Sequence, residues 1–251
     1  MKTTIFPLSI ETSRQLIRRL VEIMQAEPDK VFNMAVSGGS TPAVMFDIWA
    51  HEFMNVTPWN RLHVYWVDER CVPPEHSDSN YGLMRKLLLG MAPIPCENVF
   101  RICGEAQPQQ EATRYSELVR RQVPLRQSWP EFDIVLLGAG EDGHTSSIFP
   151  GQEELLISND IYAVSTHPRN GQKRIALTGC PILNARHVIF LITGRSKADV
   201  VKEICHSGDM GPAAYIAHHA PNVELFVDRA AAWYIGDSDG EEEEALPPDG
   251  R

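Results

Sequence analysis

The stretch Val31-Phe-Asn-Met-Ala-Val-Ser-Gly-Gly-Ser-Thr-Pro42 runs from an almost unbroken apolar segment into a glycine turn and then into a helical pattern. A short, nearly all-apolar segment is the mark of a parallel strand covered on both faces. The same pattern recurs downstream. Leu62-His-Val-Tyr-Trp-Val67, Asp133-Ile-Val-Leu-Leu137 and His187-Val-Ile-Phe-Leu-Ile192 read as strands, and Val223-Glu-Leu-Phe-Val227 reads as a further, more edge-like one. Helical patterns fall between them, at about 9–26, Thr41 to Met54, Asn80 to Leu89, Gln109 to Gln122 and Ser196 to His206. Alternation of this kind predicts a doubly wound, mostly parallel α/β sheet with helices on both faces, Rossmann-like in layout. No internal repeat and no Gly/Ser-rich linker divides the chain, so one domain over residues 1–235 is expected.

Composition narrows the function classes. The chain has 251 residues, 43% of them hydrophobic and 22% charged, which suffices for a large core without disulfide or metal staples. No apolar stretch of about 18 residues is present and the first residues lack a signal-peptide pattern, so a soluble, cytoplasmic protein with no membrane partner is expected. The formal net charge of -10 argues against a nucleic-acid partner. Of that charge, -6 belongs to residues 236–251, where seven acids accompany one arginine. So acidic a segment cannot bury enough apolar surface to order itself, and a disordered, solubilising tail is expected. The five cysteines form no Cys-x-x-Cys pair and read as free thiols. A monomer or weak homo-oligomer is expected.

In a doubly wound sheet, ligands bind beyond the C-terminal ends of the strands. Three polar segments directly follow predicted strands. In Ser37-Gly-Gly-Ser-Thr-Pro42, Gly38 and Gly39 let the backbone approach an anion, Ser40 or Thr41 can cap the helix, and the helix N-terminus supplies free N–H groups. A plain strand-to-helix turn is the bland alternative. In Asp68-Glu69-Arg70, Arg70 can fork onto phosphate oxygens and Asp68 can orient Arg70 or a sugar hydroxyl; a solvated charge cluster is the alternative. In Gly138-Ala-Gly-Glu-Asp-Gly-His-Thr145, the glycines allow Asp142 and His144 to be presented together, as a general base with a carboxylate to hold its tautomer. No Gly-x-Ser-x-Gly elbow is present, so Ser146 and Ser147 read as packing residues. The adjacent His218 and His219 lack a third ligand and read as surface or capping residues, and His76 as surface.

These segments resemble the 6-phosphogluconolactonase family, within the wider glucosamine-6-phosphate isomerase/deaminase superfamily. The likeness rests on Ser37 to Pro42, Trp66-Val-Asp-Glu-Arg70, Ser79-Asn80, and Gly138 to Gly151, with Arg174, Gly194, Lys197 and Pro212-Ala213 also in place. In the deaminases the loop after the histidine continues toward Phe-Asn-Glu-Pro-Gly, and Asp-Glu-Tyr stands where this chain has Asp68-Glu69-Arg70. Ser147-Ile-Phe-Pro-Gly151 has no such glutamate, and both differences favour the lactonase branch. One departure is Ala176, second after Arg174, where the family usually has a hydroxyl residue. The resemblance implies hydrolysis of a sugar-phosphate lactone, with the 6-phosphate held by the Gly38 to Thr41 backbone, Arg70, Lys197 and Arg174. It also implies His144 as base, Asp142 as its orienting group, and neither metal nor cofactor. An amino-sugar-phosphate isomerase or deaminase, or a sugar-phosphate sensor without catalysis, are the alternatives.

Overall fold

The computed structural model describes residues 1–206 and 211–236. The acidic residues 237–251, expected to form a disordered tail, lie outside the described residues. In chain order the elements are β1 (Lys2–Phe6), α1 (Ser9–Ala26), β2 (Phe32–Val36), α2 (Ser40–Glu52), β3 (Leu62–Trp66), β4 (Asp68–Arg70) and α3 (Asn80–Met84). They continue with α4 (Pro108–Gln122), a two-residue pair β5 (Leu125–Arg126) and β6 (Trp129–Pro130), β7 (Ile134–Leu137), β8 (Tyr162–Thr166) and β9 (Lys173–Leu177). The last are α5 (Gly179–Leu183), β10 (His187–Ile192), α6 (Ala198–Cys205), α7 (Pro212–His219) and β11 (Val223–Asp228).

Six strands form one sheet in the order β1-β11-β10-β7-β2-β3, parallel throughout. The doubly wound α/β layout follows from the sequence pattern, because β2 and β7 are buried at every position and demand cover on both faces. Helix α1 supplies part of it through the stripe Leu16, Ile17, Leu20, Val21 and Met24, all buried. The strand order reverses between β2 and β7. From β2 the chain winds outward to β3, and from β7 it winds the other way through β10 and β11. That reversal opens a crevice at the C-terminal ends of the two central strands, the position where such folds bind ligands.

Two expectations need correcting. Val223 to Asp228 is not an edge strand: β11 is flanked by β10 and by β1, and the edge is Lys2–Phe6. The polar pair Thr3-Thr4 and the exposed start of β1 hid a strand whose partner lies more than two hundred residues away. The Asp68-Glu69-Arg70 segment is not a loose strand end either. It is β4, in a separate three-stranded antiparallel sheet of order β4-β9-β8. Val67 is the junction: its N–H donates to Val36 O in the large sheet, and its C=O accepts from Leu177 N in the small one.

Candidate active site

The phosphate-type loop grows out of β2 with the ladder still running, since Ser37 N and its hydroxyl both donate to Leu136 O. Gly39 takes φ +113, a backbone conformation that favours glycine, and forms the N-cap of α2. This corrects the capping expectation. Ser40 and Thr41 lie inside the first turn, no side chain among the described residues caps the helix, and the Thr41 hydroxyl pairs with Thr193 instead. The first-turn N–H groups are thereby left to the cleft. Gly38 is required for a different reason, because a Cβ there would overlap the carboxamide of Asn80.

The small sheet delivers the cations. Arg70 on β4 and Arg174 on β9 are register partners, directly across the antiparallel pair. Like charges so placed repel, and Arg174 is only 9% exposed. Arg70 Nη1 donates to Asp78 O at 2.6 Å, but Nε of Arg70 and Nε of Arg174 are both buried with no hydrogen-bond partner among the described residues. Burial, and then the charge of Arg70, push the Arg174 pKa downward, opposed by Asp68 and other nearby carboxylates. Asp68 lies 3.9 Å from Arg174 Nη1 and accepts from the Ser147 hydroxyl at 2.5 Å. Two guanidinium groups, each with an unpaired Nε, fit an anion carrying several oxygens.

The third segment follows β7. Gly140 N donates to His144 O and Gly143 N to Gly140 O, with Gly143 at φ +82, so the loop doubles back sharply. Asp142 Oδ1 lies 2.6 Å from His144 Nδ1. Burial raises the Asp142 pKa, but the charge and hydrogen bonds of His144 outweigh it and the net direction is downward. Facing an ionised carboxylate, Nδ1 is the donor of this pair, and the tautomer that the bond selects carries its lone pair on Nε2. The ring packs on Phe149 at 4.6 Å between centroids. Ala213 N, at the start of α7, donates to Gly143 O and ties the loop down from the other side.

Beyond His144, the turn from Thr145 to Ile148 holds Ser146 at φ +52 and Ser147 at φ +56, closed by Ile148 N donating to Thr145 O. Two successive non-glycine residues in this region cost roughly 1–2 kcal/mol each. The cost is met by contacts: Ser146 Oγ donates to Val67 O and Leu177 O, and Ser147 Oγ to Asp68. Both hydroxyls are thus engaged as structural donors. Cys71, beside Arg70, has its thiol pushed up to about 11 by burial, which keeps it protonated at neutral pH. His218 and His219 each meet a backbone carbonyl, Ile204 O and Tyr215 O.

One open cleft of about 200 Å³ gathers nearly all the expected residues. Gly38, Gly39, Ser40, Thr41, Asp68, Arg70, His144, Arg174 and Lys197 line it, and Asp142 stands behind the histidine. Lys197 arrives from the end of β10, through a turn in which Gly194 N is held by the Asp228 carboxylate. Thr193 and Ser37 also line the cleft and were not singled out in the sequence. Nor was Glu69, which is 2% exposed and accepts from Arg70 N, Asn80 N, Tyr81 N and Ser79 Oγ. Glu69 stood in the Trp66-Val-Asp-Glu-Arg70 segment that carries the resemblance, but its place between two charged neighbours gave it no role of its own, since a solvated cluster would share it.

Comparison with known proteins gives consistent matches. Residues 8–226 match the sequence pattern of the family described as glucosamine-6-phosphate isomerases/6-phosphogluconolactonase. A 6-phosphogluconolactonase of Treponema pallidum is 39% identical over 222 residues, covering 88% of this chain and 89% of that protein. One from Haemophilus influenzae is 35% identical over 230 residues, covering 89% and 97%. Among solved structures, the 6-phosphogluconolactonase of Trypanosoma brucei superposes with a TM-score of 0.85 at 29% identity, covering 94% of this chain and 98% of that one.

Proposed function

Since this chain belongs to the family of glucosamine-6-phosphate isomerases and 6-phosphogluconolactonases, we propose that it hydrolyses 6-phospho-D-glucono-1,5-lactone to 6-phospho-D-gluconate, the lactone-opening step of the pentose phosphate pathway. The relatives named above are 6-phosphogluconolactonases. The observation that carries the reading to residues is the 2.6 Å His144–Asp142 pair at a cleft that also holds two guanidinium groups, each with a buried, unpaired Nε.

The phosphate binds to the first-turn N–H groups of α2 with Arg70, Arg174 and Lys197, and the remote binding energy fixes the ring in place. His144 Nε2 takes a proton from a water molecule as the water oxygen bonds to C1 of the lactone. Asp142 keeps Nδ1 protonated and stabilises the imidazolium that forms. When the tetrahedral intermediate collapses, the C1–O5 bond breaks and the imidazolium returns its proton to O5. The products are the free hydroxyl at C5 and a carboxylic acid that ionises at neutral pH. A lactone is an activated ester, so a positioned base is chemically sufficient. Ser146 and Ser147 take no part as nucleophiles, because their hydroxyls are committed to carbonyl and carboxylate acceptors.

The test is the hydrolysis rate of freshly generated lactone, with and without protein, against its spontaneous opening and with chelator present. Acceleration that survives chelator supports the reading. A rate equal to the spontaneous one removes it, and ammonia or ketose-phosphate production from amino-sugar phosphates is then the next assay.

A further inference from the structure

We infer that Glu69 is the positioning residue of the anion clamp, the one side chain that sets Arg70, Asp68 and the Gly38 loop relative to one another. The inference rests on the phosphate-binding part of the function proposed above.

The carboxylate has two oxygens with two acceptor positions each, and all four are used. Oε1 accepts from Arg70 N at 2.7 Å and Asn80 N at 2.8 Å. Oε2 accepts from Ser79 Oγ at 3.0 Å and Tyr81 N at 2.8 Å. A proton on either oxygen would evict a donor, so the geometry holds the ionised form even though burial pushes the pKa up against these hydrogen bonds. The donors come from two separate places. One is β4 itself; the other is the start of α3, where Ser79 also caps Gly82 N.

From that joint, three links run to the cleft. Asp78 O, one residue before Ser79, receives Arg70 Nη1 at 2.6 Å, so the amide and the guanidinium of Arg70 are both referenced to Glu69. Asn80, its amide held by Glu69, donates Nδ2 to Asp68 O at 2.9 Å. The rest of the Asn80 carboxamide occupies the space that a Cβ on Gly38 would need, so the phosphate loop rests on it. Asn80 is 1% exposed and its Oδ1 has no hydrogen-bond partner among the described residues, so packing against Gly38 holds that end. Glu69 does not itself line the cleft, yet three of the walls are located through it.

The test separates positioning from general stability. In Glu69→Gln the amide NH2 faces two of the four donors. The expected result is a KM for the lactone raised about 10- to 100-fold, with kcat within about threefold of wild type. The affinity for inorganic phosphate, titrated calorimetrically, should fall by a similar factor. Ser79→Ala removes one donor to Glu69 together with the cap on Gly82 N, and leaves the three backbone contacts to the carboxylate, so it should give the same pattern at about three- to tenfold. The role is overturned if these variants lose kcat in proportion to folded protein while KM and phosphate affinity stay at wild-type values. It is overturned equally if nothing changes. Should Glu69→Gln fail to fold, Ser79→Ala decides alone. A wild-type protein that binds phosphate without opening the lactone would end the lactonase reading, but the phosphate titrations would still decide the role of Glu69.

Discussion

Replacing Gly140 by alanine should disable the base while leaving substrate capture intact. Gly140 is not in the left-handed region, so Gly140→Ala imposes no backbone strain of that kind. Its added Cβ would overlap the Nδ1 and Cε1 atoms of His144 and Oδ1 of Asp142. All three belong to the 2.6 Å pair, and Phe149 backs the ring on another side, so the imidazole must swing out of the pair rather than slide within it. Losing a hydrogen bond to a charged acceptor is worth about 1.5–3 kcal/mol, which corresponds to roughly 10- to 100-fold in rate. Misplacing the reacting nitrogen by about 1 Å costs a similar factor. We expect kcat to fall about 10²- to 10³-fold, no lower than in His144→Ala, with KM and phosphate affinity near wild type. The assay is steady-state lactone hydrolysis corrected for spontaneous opening, with Gly140→Ala combined with His144→Ala as a double-mutant cycle. In the His144→Ala background the glycine substitution should add less than about a further threefold, because the group it displaces is gone. A Gly140→Ala enzyme within about threefold of wild-type kcat would refute the reasoning, as would full additivity in the double mutant.

Arg174→Ala should split affinity from stability. The substitution removes one of two directly opposed guanidinium groups, so melting should change by no more than about 1 kcal/mol even though the side chain is nearly buried. Meanwhile kcat/KM should drop at least about tenfold. Equal losses in both would show that Arg174 is a packing residue. Acidification should act through Asp142, whose pKa is held below its usual 3.8. A depressed carboxylate contributes stability above its unfolded pKa and loses it as pH falls through the folded value. Thermal unfolding of wild type and Asp142→Asn should therefore differ at neutral pH and converge below about pH 4. A gap unchanged down to pH 3 would contradict the assignment.

The sequence made the parallel strands and the three loops legible because their signals are local. The apolar runs of β2 and β7, the glycines at 38–39 and 138–143, and the two-residue spacing of Asp142 and His144 all act within a few positions. What escaped depends on distant partners. Asp68-Glu69-Arg70 is a strand only because Arg174, Ile175 and Ala176 lie across from it, more than a hundred residues on. Three charged residues in a row carry no strand signal of their own. Glu69 was invisible for the same reason: its donors at Ser79 to Tyr81 are brought to it by the turn that precedes α3. The helix cap was misassigned because Ser40 and Thr41 are sound capping residues, but Gly39 in its left-handed conformation had already begun the turn.

The loops that carry Gly38 and His144 start from neighbouring strands, which makes the sheet a ruler. Gly38 follows β2 and His144 follows β7, and these strands are locked in register as Met34 to Ile134, Ala35 to Val135 and Val36 to Leu136. The span between the two strand ends from which these loops start is thus set by main-chain hydrogen bonds at a strand spacing of about 4.8 Å. A slip of one residue would turn every buried side chain of the strand to the other face, so the span cannot drift in small steps. On the function proposed above, substrates would be measured by length from phosphate to reacting carbon. On that reading, any change in the size of sugar accepted would come from the loops that those strand ends carry.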